Sequence, residues 1–133
     1  MKCFKRIGMA LLFLPFILIL GIIVYEFFGM CVNHAAAERQ TKKLQADLTE
    51  GISDLKIINV NSETGNSSGT GNHVECMSTI IFSTEMNESE IEGAMAVYYD
   101  LDNECCAIRK EENGTFSIYL ATTAPIPDNI EGH

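Results

Sequence analysis

The side chains with the most reactive chemistry to offer are one histidine and three cysteines. His73 and Cys76 stand three residues apart in "HVEC", and Cys105 and Cys106 are adjacent. An imidazole beside a thiol can take its proton and make a nucleophile. The same four residues could also give nitrogen and sulfur to zinc. Both readings lack a part. Structural zinc ligands come in tight knuckles such as C-x2-C, and an odd offset along a strand sends His73 and Cys76 to opposite faces. No orienting third group and no oxyanion-hole signature accompanies the pair. No catalytic, cofactor-binding or metal-ligating residue is assigned on this basis. A disulfide is the stronger cysteine chemistry in an exported domain, and Cys76 with Cys106 is the candidate pair if both face a core. Buried, packed thiols would satisfy the same two positions. A bond between the neighbours Cys105 and Cys106 would be strained.

Three other stretches invite a chemical reading. "SETGNSSGTGNH" (62–73) is rich in glycine and serine, as phosphate loops are. Such a loop needs a following helix and usually a lysine, whereas here a strand follows, no lysine is present and the surroundings are acidic. It reads as a connecting loop with a contact surface. "DLDNE" (100–104) alternates acids like the start of a calcium loop, but Cys105 occupies the glycine position and the twelfth-position glutamate is missing. It reads as a solvated turn. The triplets at Asn66, Asn87 and Asn113 match N-x-S/T, which matters only in a glycosylating host.

The elements that carry these residues follow from pattern. From 33 to 50, "NHAAAERQTKKLQADLTE" has helix-forming composition, with Ala37, Thr41, Leu44 and Leu48 on one stripe and Gly51 as a stop. "LKIINV" (55–60) and "VECMSTIIF" (74–82) predict strands. Ile80 and Ile81 point to opposite faces of the second, so that strand is covered at least in part on both sides. Asn87 and Glu90 form a capping box for a helix over 88–99, with Ile91, Ala94, Met95 and Tyr98 on its apolar face. The last element is a hairpin. A three-residue loop, Glu112-Asn113-Gly114, pairs Ile108 with Ile118 and Cys106 with Leu120, which segregates apolar residues better than a two-residue loop does. Cys106 then points inward and Cys105 outward. The tail "TTAPIPDNIEGH" carries two prolines and reads as extended.

The N-terminal quarter is of another kind. Ile7 to Phe28 is almost wholly apolar over 22 residues, with Glu26 as its one charge. As a helix it would span about 33 Å, enough for a hydrocarbon core of about 30 Å. It is too long for a signal peptide's apolar run and is set apart from the "HAAAE" alanines, so it reads as an uncleaved signal anchor. Lys2, Lys5 and Arg6 keep the N-terminus cytoplasmic and the rest extracytoplasmic. Residues 31–133 hold six of the nine basic groups and seventeen of the eighteen acidic ones, a net charge of −11. Such a charge repels phosphate backbones and excludes nucleic acid as a partner, while cationic partners are favoured.

The fold class expected is therefore α+β: an N-terminal transmembrane helix, then a small domain with a four-stranded, mainly antiparallel sheet and one or two packed helices. The chain divides into a signal anchor (1–32), a juxtamembrane amphipathic helix (33–51) and an acidic α+β domain (52–133). An apolar helix continuing into an amphipathic one, then a long loop and an antiparallel sheet, resembles the type IV pilins and pseudopilins. "KRIGM" sets a basic pair before Gly8-Met9, as at a prepilin cleavage site, although Phe13 stands where that family typically has glutamate. The expected function is a single-pass, membrane-anchored binding or assembly module, held in the bilayer by residues 7–28 and meeting a protein partner outside. The resemblance implies the alternative of a pilin-like structural subunit, and the Cys–His pair that of a small enzyme.

Overall fold

The computed structural model describes residues 2–67, 69, 71, 73–101 and 105–132. Helix α1, Lys2–Gly51, runs through 50 residues without a break, a length of roughly 75 Å. The expected anchor and amphipathic helix are thus one continuous element. Its two halves have different surroundings. From Phe13 to Phe28 the apolar side chains are open to the outside, Phe16 by 67% and Phe27 by 64%. From Gly29 onward a stripe of Gly29, Asn33, Ala37, Thr41, Leu44 and Leu48 is buried. Its spacings of four and three residues follow one face of a helix.

That stripe lies on a four-stranded antiparallel sheet in the order β1-β2-β4-β3. The strands are β1 (Lys56–Gly65), β2 (Glu75–Ser83), β3 (Cys106–Lys110) and β4 (Phe116–Thr123). Alternation in β2 is complete: Cys76, Ser78, Ile80 and Phe82 are buried towards α1, and the residues between them are half-buried on the other face. Leu44, Leu48 and Ile52 meet Ile80, Phe82, Ile118 and Leu120 in the main core. The Phe82 and Phe116 rings stack at 5.9 Å. Burying each such side chain contributes about 1.5–3 kcal/mol. A smaller cluster of Ala37, Val74, Cys76 and Ala124 lies nearer the apolar half of α1.

Helix α2, Glu88–Met95, closes the far end of the core through Ile91 and Met95. Its capping box is complete: the Asn87 side chain accepts from Glu90 N, and Glu90 accepts from Asn87 N. The helix stops four residues short of the expected Tyr99. Ala96 caps it, and the amides of Tyr98 and Tyr99 both turn back to Met95 O. Gly93 weakens the last turn by about 1 kcal/mol against alanine. The hairpin register is the expected one, with Cys106 opposite Leu120 and Ile108 opposite Ile118. Gly114, at φ +83°, supplies the left-handed position of the three-residue turn. Strand β1 is longer than expected and continues through Ser62, Glu63 and Thr64 to Gly65. The segment between the two strands shortens accordingly.

Candidate functional site

The four residues with reactive chemistry do not converge. Cys76 lies on β2 and Cys106 on β3, with β4 between them. Two strand spacings separate the backbones by roughly 10 Å, beyond the 7 Å that a disulfide can bridge. Both residues face inward as anticipated, and both are thiols in different clusters of the core. The order of the strands, which sequence pattern leaves open, is what separates them. Among the described residues no group of three or more His, Cys, Asp or Glu side chains is placed to hold a metal ion. Burial pushes the Cys76 thiol pKa up, the charge of Glu131 adds to this, and Arg39 works against it. Burial likewise raises Cys106, with Asp100 and Cys105 contributing. These shifts run opposite to the activation that a nucleophilic thiol needs. In the folded chain, maleimide is therefore expected to label Cys31 and Cys105, which are exposed, while Cys76 and Cys106 react only with denaturant present. Mass mapping of the adducts checks this; rapid native labelling of Cys76 would contradict its placement. Of the acidic stretch 100–104, residues 102–104 lie outside the described residues.

What the fold does bring together is a clasp between the middle of α1 and the C-terminal tail. Asn33 is fully buried and grips Ile126 from both sides: its Nδ2 donates to Ile126 O at 2.8 Å, and Ile126 N donates to its Oδ1 at 3.0 Å. One turn earlier, Gly29 lets the tail approach so closely that an added Cβ would stand 3.0 Å from Asn129 Nδ2. Glu26 accepts a hydrogen bond from Ile130 N at 2.8 Å. On the residue after Asn33, His34 Nε2 meets Glu131 Oε1 at 2.7 Å, and Thr64 of β1 donates to the same oxygen at 2.6 Å. Backbone bonds from Val74 N to Pro127 O and from Ala124 N to Val74 O complete the closure. Loop and tail join here as well, since Asn66 Nδ2 donates to Gly132 O at 3.1 Å. Thr64 and Asn66 of the glycine-rich stretch thus belong to the end of the domain that meets the apolar half of α1.

Between the two clusters of the core runs a polar seam. Gln40 Nε2 lies 3.0–3.1 Å from Cys76 O, Ser78 Oγ and Leu120 O, and Thr122 donates to its Oε1. Thr41 and Ser78 share a hydrogen bond of 2.7 Å. Buried polar groups satisfied in this way fix one docking of helix on sheet, because sliding α1 by a turn would leave them unpaired.

At the far end, Asp47 receives Lys43 Nζ at 2.6 Å and the hydroxyl of Tyr99. Burial opposes ionisation of Asp47, but the hydrogen bonds from Lys43 and Tyr99, with the charge of Lys43, hold its pKa below the usual value. Tyr99 is pushed well above the ordinary tyrosine range by burial, and then by the hydrogen bond to Asp47 and its charge, so it stays a donor. A carboxylate with a lowered folded pKa contributes stability above its unfolded pKa of about 3.9 that is lost as pH falls through the folded value. Stability of the natural chain is therefore expected to fall as pH drops below about 5, and Asp47→Asn should flatten that loss. Urea titrations at stepped pH measure it, and equal slopes for both chains would sink the assignment.

The remaining described surface includes a hollow along α2 bordered by Glu92, Val97 and Leu101, a sheet face and two sheet edges. The face away from α1 carries Met77, Thr79, Ile81, Ala107 and Tyr119, all half-buried, with a shallow hollow bordered by Arg109, Glu111 and Ser117. Among the described residues no helix packs on this face, and no strand pairs with the outer edge of β1 or β3. Strand and face can accept an extended or flat protein surface. Sequence pattern missed the clasp, although Gly29, Asn33 and Ala37 continue the stripe upstream at spacings of four. No protein-family model, no curated protein and no solved structure matches this chain.

Proposed function

We propose that this chain is a single-pass membrane protein that holds a small acidic α+β domain at a fixed attitude outside the membrane, as a binding or assembly module for a protein partner. The observation that carries the reading is the change of surroundings along one unbroken helix. Phe13–Phe28 exposes apolar side chains on every side, and Gly29–Leu48 is packed against the sheet. A helix that is apolar all round is suited to lipid. The clasp and the seam make anchor and domain a single rigid piece, which suits a module that must present a surface in a set direction. Lys2, Lys5 and Arg6 before the apolar run favour a cytoplasmic N-terminus, and the net charge of −11 beyond it favours a cationic protein partner over nucleic acid.

The test is topology read at an exposed thiol. In cells carrying Cys3→Ser and Cys31→Ser, an impermeant maleimide should reach Cys105 from outside, and the chain should resist alkaline extraction. Labelling only after the membrane is breached would place the domain inside; release by alkali would remove the anchor. One observation favours a second reading. The passage of α1 without a break from an apolar half onto a four-stranded antiparallel sheet is the layout of a pilin-like structural subunit. Mass analysis of the mature N-terminus separates the two, because cleavage after Gly8 belongs to the second reading alone.

A further inference from the structure

The two edges of the sheet are built differently. Strand β3 is five residues long and carries Arg109 and Lys110 at its exposed end, the short, charged form by which edges are blunted. Strand β1 is ten residues long. From Ile57 to Ser62 it has no charge and no proline, and Ile58 and Val60 are 57% and 39% exposed. Its one irregularity is the bulge between Ile57 and Asn59. The clasp seals its end at Thr64, so about 20 Å of open edge remains. We infer that this edge receives an extended, net-basic segment of a partner protein as an added fifth strand. The choice of occupant rests on the anchored reading above.

Geometry works against a second copy of the chain once both copies sit in one membrane. Strand β1 runs back along α1, since Thr64 at its end meets His34 near the start of the packed half. An antiparallel pair of β1 strands has its two-fold axis across the strands, and the two apolar segments would point in opposite directions. A parallel pair around an axis along the strands sets identical residues at one height, whereas a parallel ladder needs an offset of one residue. Joining β1 to β3 of the next copy runs in an allowed sense. However, each strand step turns by about 20–25°, so a whole copy turns its neighbour by roughly 80–100° and carries the neighbour's anchor out of the bilayer. Net charge opposes self-association as well and attracts a basic segment. What fits is an untethered strand whose backbone supplies the ladder and whose alternate apolar side chains meet Val60 and Ile58.

The test uses the full chain in lipid nanodiscs and a synthetic twelve-residue peptide in which valine alternates with lysine and threonine. The control peptide has the same sequence with alternate amides N-methylated, which keeps its charge and removes its ladder donors. Hydrogen exchange should show new protection over residues 56–63, and anisotropy should show binding weakened more than about tenfold by N-methylation and by Ile58→Lys with Val60→Lys. Both substituted side chains are exposed, and unchanged exchange in β2 and β4 certifies the fold. Equal binding of the N-methylated peptide, or protection elsewhere, would overturn the inference by reducing it to charge attraction. Protection of β1 without peptide that grows with protein concentration would overturn it in favour of a second copy. Flotation with liposomes is read separately; loss of flotation with peptide protection of β1 retained sinks the anchored reading and leaves strand addition standing.

Discussion

Asn33→Ala lowers the unfolding free energy of the full chain by about 2–4 kcal/mol, most of it from the two Ile126 backbone groups left without their partner. The amide of Asn33 closes on both the N–H and the C=O of a tail residue. Alanine fits the helix better than asparagine, by a few tenths of a kcal/mol, so helix propensity works against the predicted loss and does not cause it. The effect should also be localised. Exchange should speed first at Ile126 N, Ala124 N and Val74 N, which the clasp holds. The amides of β4 that face β2 should follow only with global unfolding. Glu26→Gln keeps an acceptor for Ile130 N and should cost less than about 1 kcal/mol, since a neutral carbonyl still satisfies the same donor. Denaturant melts of the two variants in one detergent, with exchange mapped over 124–132, decide the matter. Unchanged tail protection in Asn33→Ala would show that the tail is held elsewhere.

How far the sequence pattern reaches can be seen at particular residues. The capping box at Asn87 and Glu90, the inward alternation of β2 and the hairpin register at Cys106 and Ile118 are local signals, each set within a dozen residues, and the structure has them. The buried stripe from Ala37 to Leu48 was legible for the same reason. Strand β1 runs past its apolar pattern because Ser62 and Thr64, loop-like in type, pair with β2. Thr64 pairs with Cys76 across the sheet, and its hydroxyl meets Glu131 and His34, which lie 67 and 30 residues away. The clasp depends on a pair 93 residues apart. Cys76 and Cys106 show the same limit. Which way each side chain faces is local, but the strand between them is a fact of topology. Asn33 and Thr41 fall on the helix stripe, but nothing in that period names Ile126 or Ser78 as their partners, so the parts best placed to set the attitude of the domain are the parts least visible.

The second large effect is expected at the helix–sheet interface. Leu44→Ala should destabilise the chain by about 3–5 kcal/mol, the sum of lost transfer energy and an unfilled cavity. Leu44 is fully buried in the cluster that includes Leu48, Ile80 and Ile118, and strands paired on both edges cannot move in to fill the gap. For a domain of this size the total stability is about 5–15 kcal/mol, so a fifth or more would go with one side chain. Val97→Ala is the matched control. Val97 is 80% exposed beyond the end of α2, and its loss should stay within about 0.5 kcal/mol. The comparison also separates two roles of α1. The apolar half should remain helical and lipid-held in Leu44→Ala, while the sheet loosens from the packed half. Near-ultraviolet dichroism should therefore lose its fine structure at a lower denaturant concentration than the far-ultraviolet helix signal. A single coincident transition, shifted by less than about 1 kcal/mol, would mean that the sheet keeps its shape without α1. In that case the rigid coupling of anchor to domain, on which the proposed display of a fixed surface depends, would fail with it.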